Sequence, residues 1–177
     1  FAKLVLGAAG VVACIGTAFA HVTLETQETP VGAGYKAVMR VPHGCQGSPT
    51  TVIRVRLPHG VSCVKPMPKP GWTLETTTGK YPKTFTLRGA KVSEGVTEIT
   101  WSGGHLADAH YDEFVFTGVV AEELEAGGKI YFPVVQECEK GVHRWIEIPT
   151  EKAAHGGGGH GAGSAEPAAA LRLLPKK

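Results

Sequence analysis

The feature that most constrains the fold is a period-two alternation of apolar and polar residues, repeated in short runs along the chain. In TVIRVRLP, Ile53, Val55 and Leu57 alternate with Val52, Arg54 and Arg56, so one face is apolar and the other largely charged. A segment patterned this way is a half-buried strand. Runs of the same kind occur at YKAVMRVP, GWTLETTT, KTFTLRG, VTEITWSG, HYDEFVFTGVV, KIYFPVVQE and VHRWIEIP, separated by turn-forming PHG, KPG, SEG and EAGGK. Many short strands at regular spacing, with almost no helical period, predict an all-β chain: an antiparallel β-sandwich of immunoglobulin-like or cupredoxin-like shape. AEELEA is the single helical candidate and is too brief to change the class. KPMPKPG, residues 65–71, carries three prolines that remove ladder donors, so it reads as an edge or crossover segment.

The two ends of the chain follow different rules. Residues 1–20, FAKLVLGAAGVVACIGTAFA, have one lysine, an apolar stretch and the small residues Ala18 and Ala20 around Phe19. This is the pattern of a secretory signal peptide with an A-x-A cleavage site, too short for a stable membrane span. Export to the periplasm is therefore expected, with no membrane span left after cleavage. Residues 21–150 form the sandwich domain. Residues 151–177 are rich in Gly and Ala and are expected to be a flexible tail. Its His155 and His160 read as incidental in a solvated linker, and its final ALRLLP is a segment able to dock on the domain or a partner.

Loss of the leader removes Lys3 and leaves 17 basic against 16 acidic residues. That balance, with basic residues scattered, argues against a nucleic-acid partner. There is no G-x-S-x-G nucleophile and no phosphate-binding glycine loop with its lysine. Cys14 leaves with the leader, so Cys45, Cys63 and Cys138 remain. In an oxidising compartment two of them pair. Cys45 and Cys138 both sit in turn-like sequence at strand ends, which favours their pairing and leaves Cys63 reduced and buried. Three pairings remain open, as does copper binding by two thiolates.

Cleavage after Ala20 would make His21 the first residue. Its α-amine and imidazole then form a chelating pair, both accessible in their neutral forms near neutral pH. Cu(II) is the strongest claimant for such nitrogen donors, ahead of Zn(II). If Phe114 and Phe116 enter the core, Glu113 projects from the opposite face. The same test applied to VHRWIEIP places Ile146 and Ile148 inward, and Trp145 outward with His143 and Glu147. A terminal histidine, an outward carboxylate and an outward tryptophan together suggest a surface metal site.

The segments HVTLETQETPVGAGYKAVMRVPHGC, PTTVIRVRLPHGV, KPGWTLETTTG, ITWSGGHLADAHYDEFVFTG and YFPVVQECEKGVHRWIEIP resemble, in that order, the YcnI-type copper-binding proteins, a bacterial domain of unknown function. The resemblance spans residues 21–149. It implies an exported β-sandwich that binds Cu(II) through a single-histidine brace, with a carboxylate and a tryptophan nearby. By position, His21 matches the brace, Glu113 the carboxylate with Asp112 as second choice, and Trp145 the tryptophan with Trp101 as second choice. The Cys45 and Cys138 pair is similar to that of the proteobacterial branch; Cys63 has no counterpart role, and no membrane anchor is expected after the domain.

The expected function is noncatalytic: a periplasmic copper chaperone or sensor that exchanges copper with a periplasmic carrier or a membrane copper transporter. One alternative is a copper-dependent oxidase or monooxygenase, which needs a second imidazole from His43, His59, His105, His110 or His143, with His110 and His143 the best placed. The other is a metal-free protein-interaction sandwich, since folds of this shape host unrelated functions.

Overall fold

The computed structural model describes residues 21–87, 89–149 and 166–177. The expected leader, residues 1–20, and the tail histidines His155 and His160 lie outside the described residues. The described residues form twelve strands: β1 Thr23–Leu24, β2 Glu28–Pro30, β3 Gly34–Val41, β4 Thr50–Arg56, β5 Val61–Pro66, β6 Thr73–Leu87, β7 Ala90–Leu106, β8 Asp112–Val120, β9 Lys129–Phe132, β10 Val134–Cys138, β11 Val142–Trp145 and β12 Ala169–Leu174. No helix occurs among the described residues.

Two antiparallel sheets supply the layers, one in the order β1-β3-β8-β5 and the other β11-β10-β4-β7-β6. Alternation decides what lies between them. Ala37, Met39 and Val41 of β3 and Phe114 and Phe116 of β8 meet Ile53 and Val55 of β4 and Ile99 and Trp101 of β7 in one buried cluster. The Trp101 and Phe114 rings pack edge-on, with centroids 5.5 Å apart. Apolar faces of this kind must cover each other, which is what makes a sandwich of two half-polar sheets. A third sheet, β2-β12-β9, closes one side. Pro133 divides the KIYFPVVQE run into β9 and β10, one for each of two sheets. KPMPKPG begins on β5, an edge strand, as its prolines require.

Three expectations are corrected here. AEELEA forms turns instead of a helix. Its one large apolar residue, Leu124, packs onto Gly60 so closely that a Cβ there would lie 2.5 Å from a leucine methyl. Second, the expected flexible tail does not extend over its last part. β12 pairs antiparallel with β9 and parallel with β2, because AALRLL alternates and can bury Ala169, Leu171 and Leu173. The segment that ends in ALRLLP thus docks on its own domain. Third, Cys63 is exposed, not buried. It sits at φ 51° in a bulge between Ser62 and Lys65 that turns it out of the ladder. Cys45 and Cys138 are joined as a disulfide, with Cα atoms 6.0 Å apart.

Candidate functional site

His21 lies just before β1, and its position is fixed by its neighbours. Val22 and Leu24 are both buried in the core, while Thr23 pairs with Arg40 on β3. The half-exposed histidine is thereby held at the edge of the first sheet, between two cavities. One, of about 560 Å³, is lined by Glu25, Arg40, Pro42 and Tyr111 among others. The other, of about 240 Å³, is walled on its far side by Pro167–Ala170 from the C-terminal segment.

The edge strand of the opposite sheet, β11, brings Trp145 to the same place. The His21 and Trp145 rings meet edge to face, with centroids 5.3 Å apart. The expected orientation of β11 is nevertheless inverted. Trp145 is 3% exposed, whereas Ile146 and Ile148 are 45% and 53% exposed. Register explains why: Trp145 faces Val134 and His143 faces Gln136, and both partners on β10 are buried. Ile146 lies past the strand end, where its N–H donates to the Arg144 carbonyl in a tight turn.

Burying an indole N–H needs an acceptor. Gln136 provides it, accepting from Trp145 Nε1 at 3.0 Å through Oε1. Its Nε2 donates to the His43 carbonyl at 2.7 Å and to Thr50 Oγ1 at 2.8 Å. Sequence reasoning did not select Gln136, although a glutamine two residues after Val134 on the apolar phase of β10 was a visible anomaly.

A second group missed by sequence reasoning is Glu166, which reaches this face because the C-terminal segment folds back. The Glu147 N–H donates to the Glu166 carbonyl at 3.1 Å, and the Ala168 N–H to the Glu147 carbonyl at 2.9 Å. Both carboxylate oxygens are engaged, one by His143 Nδ1 at 2.6 Å and the other by the Arg144 N–H at 2.6 Å. Burial alone would push this carboxyl up. The hydrogen bonds from His143 and Arg144, with the charges of His143 and His21, outweigh it and hold Glu166 below the usual carboxylate range. His143 also stacks on Trp145, with centroids 4.9 Å apart and planes 27° apart. His43 stands beside it at 6.0 Å, its Nδ1 2.5 Å from the Gly44 carbonyl. Gly44 is required there, since a Cβ would fall 2.0 Å from the Ser48 carbonyl oxygen.

The remaining nominated residues are placed as follows. Phe114 and Phe116 do enter the core, and Glu113 does face outward. Glu113 pairs across the sheet with Arg40, which in turn pairs with Thr23, so the three form one row across three strands beside His21. Arg40 carries ion pairs to Glu25 at 2.8 Å and Glu113 at 3.6 Å. Asp112 is held elsewhere, 2.6 Å from Lys69 Nζ. Trp101 is a core residue whose Nε1 donates to the Met67 carbonyl at 3.1 Å. Of the other histidines, His59 packs on Phe85, His105 pairs with Glu139, and the His110 N–H closes a turn onto the Ala107 carbonyl.

Among the described residues, no three His, Cys, Asp or Glu side chains form a group able to hold one metal ion. A metal on this face would therefore rest on one or two such side chains together with other donors, of which a terminal amine is one. The donors present are imidazoles and a carboxylate, the set that suits copper or zinc. Among the described residues, no helix is long and apolar enough to cross a membrane.

Comparison with known proteins places this arrangement in a context. A family model described as a domain of unknown function, DUF1775, matches residues 21–173. No curated protein matches the chain. Among solved structures, an uncharacterized protein from Nocardia farcinica, described as having an immunoglobulin-like fold, is 21% identical with a TM-score of 0.62. The match covers 87% of this chain and 98% of that one. It shows that the sandwich described above is immunoglobulin-like.

Proposed function

Starting from the fact that the chain belongs to the DUF1775 family, we propose that it is an exported copper-binding protein whose cargo, Cu(II), is gripped by the α-amine and imidazole of His21 once residues 1–20 are removed. The observation that carries this reading is the seating of His21. It is anchored by Val22 and Leu24, half-exposed between two cavities, and set with its ring on Trp145. A terminal residue fixed so firmly loses little freedom when its two nitrogens close on an ion, and that preorganisation favours binding. The resemblance to YcnI-type proteins supplies Glu113 as the carboxylate; its row through Arg40 to Thr23 leads toward His21.

The setting is periplasmic. A disulfide between Cys45 and Cys138 accords with an oxidising compartment. The role is chaperone or sensor rather than enzyme, with copper exchanged with a periplasmic carrier or a membrane transporter. A site with few protein donors leaves coordination positions open, through which an acceptor protein can take the ion.

The test compares two forms, one beginning at His21 and one retaining a single residue before it, by Cu(II) titration and electron paramagnetic resonance. The extended form is expected to bind at least tenfold more weakly and to give a different spectrum. Equal affinities and spectra would overturn the brace and favour the metal-free interaction sandwich or another site.

A further inference from the structure

We infer that His43 and His143 form a second metal-binding pair on the same face, one that takes a late first-row divalent ion, Cu(II) foremost, through their Nε2 nitrogens. The pair is separate from the His21 brace and does not depend on it.

The argument begins with tautomers. A carbonyl oxygen can only accept, so the 2.5 Å contact from His43 Nδ1 to the Gly44 carbonyl places the proton of a neutral His43 ring on Nδ1. The 2.6 Å contact from His143 Nδ1 to the Glu166 carboxylate does the same for His143. In both rings the lone pair is then on Nε2. A histidine whose far nitrogen donates to a backbone carbonyl or a carboxylate is the arrangement that orients imidazoles toward metals and raises their basicity. Here it occurs twice, in adjacent rings.

Spacing is the second point. With a metal about 2.1 Å from each Nε2, two imidazoles on one ion have ring centroids about 5.3 Å apart at a tetrahedral angle and about 6.5 Å apart when directly opposed, so the spacing seen here calls for a wide angle at the metal. The observed separation is 6.0 Å. The third point is rigidity. Gln136 fixes the His43 carbonyl, Trp145 supports the His143 ring, and both oxygens of Glu166 are committed to His143 and Arg144. Such a pair suits copper best among divalent first-row ions. Its place beside Trp145, which also touches His21, would make it a neighbouring station for the same cargo.

The test uses the chain beginning at residue 21 with His21→Ala, His155→Ala and His160→Ala, so that neither the brace nor the tail histidines contribute. Cu(II) alone is titrated and followed by calorimetry and electron paramagnetic resonance. One ion per chain is expected, with hyperfine structure from two nitrogens, lost in both His43→Gln and His143→Gln. Glu166→Gln is expected to weaken binding 10- to 100-fold, as loss of a histidine-orienting partner does. No binding in this background, or binding retained in either glutamine variant, would overturn the pair. Near-UV circular dichroism reports whether Trp145 stays packed; should His143→Gln disturb it, His43→Gln decides alone. Failure of the brace would appear only in forms that keep His21, so the two readings fail separately.

Discussion

Gln136 is fully buried yet uses its amide on three sides, accepting from Trp145 and donating to the His43 carbonyl and Thr50. A buried polar group of this kind stabilises only while every partner is satisfied. Replacing it by leucine would remove the acceptor of the Trp145 indole N–H and the amide that donates to the His43 carbonyl. Gln136→Leu is therefore expected to cost about 2–3 kcal/mol, read as a lower urea midpoint with the slope unchanged. It should also alter Trp145 fluorescence, because the indole loses its fixed acceptor. Nothing in the amino-acid order connects residues 43, 136 and 145. What could be read locally was only that a glutamine occupied the apolar phase of β10.

At the scale of elements, β12 matters most. It fills the gap between β2 and β9 and brings Pro167–Ala170 against His21 and Glu166 against His143. Its exposed ion pair, Arg172 to Glu28 at 3.1 Å, adds little in water. The inward side chains carry the docking. Leu171 is fully buried, so Leu171→Ala is expected to destabilise by about 2–5 kcal/mol. Thermal unfolding would measure this, and hydrogen exchange should speed up across β2 and β9 before the rest of the sandwich. Uniform exchange rates would show that β12 is not a separate unit of stability. β11 illustrates the opposite problem. With four residues, Val142, His143, Arg144 and Trp145, each phase holds one large apolar side chain, so alternation gives no preferred face. Pairing with Val134 and Gln136 of β10 made the choice.

Across the whole molecule, the site lies where the edges of two sheets meet, β1 of one and β11 of the other, with a third sheet closing the side. The Cys45–Cys138 disulfide ties the loop carrying His43 to the end of β10, across a sequence separation of 93 residues. Closing so long a loop restricts the unfolded chain and is worth about 2–5 kcal/mol. The paired replacement Cys45→Ser with Cys138→Ser is expected to lower the melting temperature accordingly, whereas Cys63→Ser, at an exposed thiol, should not. An unchanged melting temperature in the double variant would show that the bridge contributes nothing beyond the sheet contacts.

The amino-acid sequence by itself determined the all-β class, the positions of the main strands, the inward Phe114 and Phe116 with outward Glu113, and the strand-end setting of Cys45 and Cys138. Each of these rests on a local pattern, since side chains alternate at every residue of a strand and turns announce themselves in Gly and Pro. Tertiary structure alone decided which way Trp145 faces, that residues 169–174 become a strand, and that Glu166, His143, His43 and His21 share one face. Sheet pairing joins residues far apart in sequence, so a strand's register and the occupant of an open edge are set by partners that no local window contains.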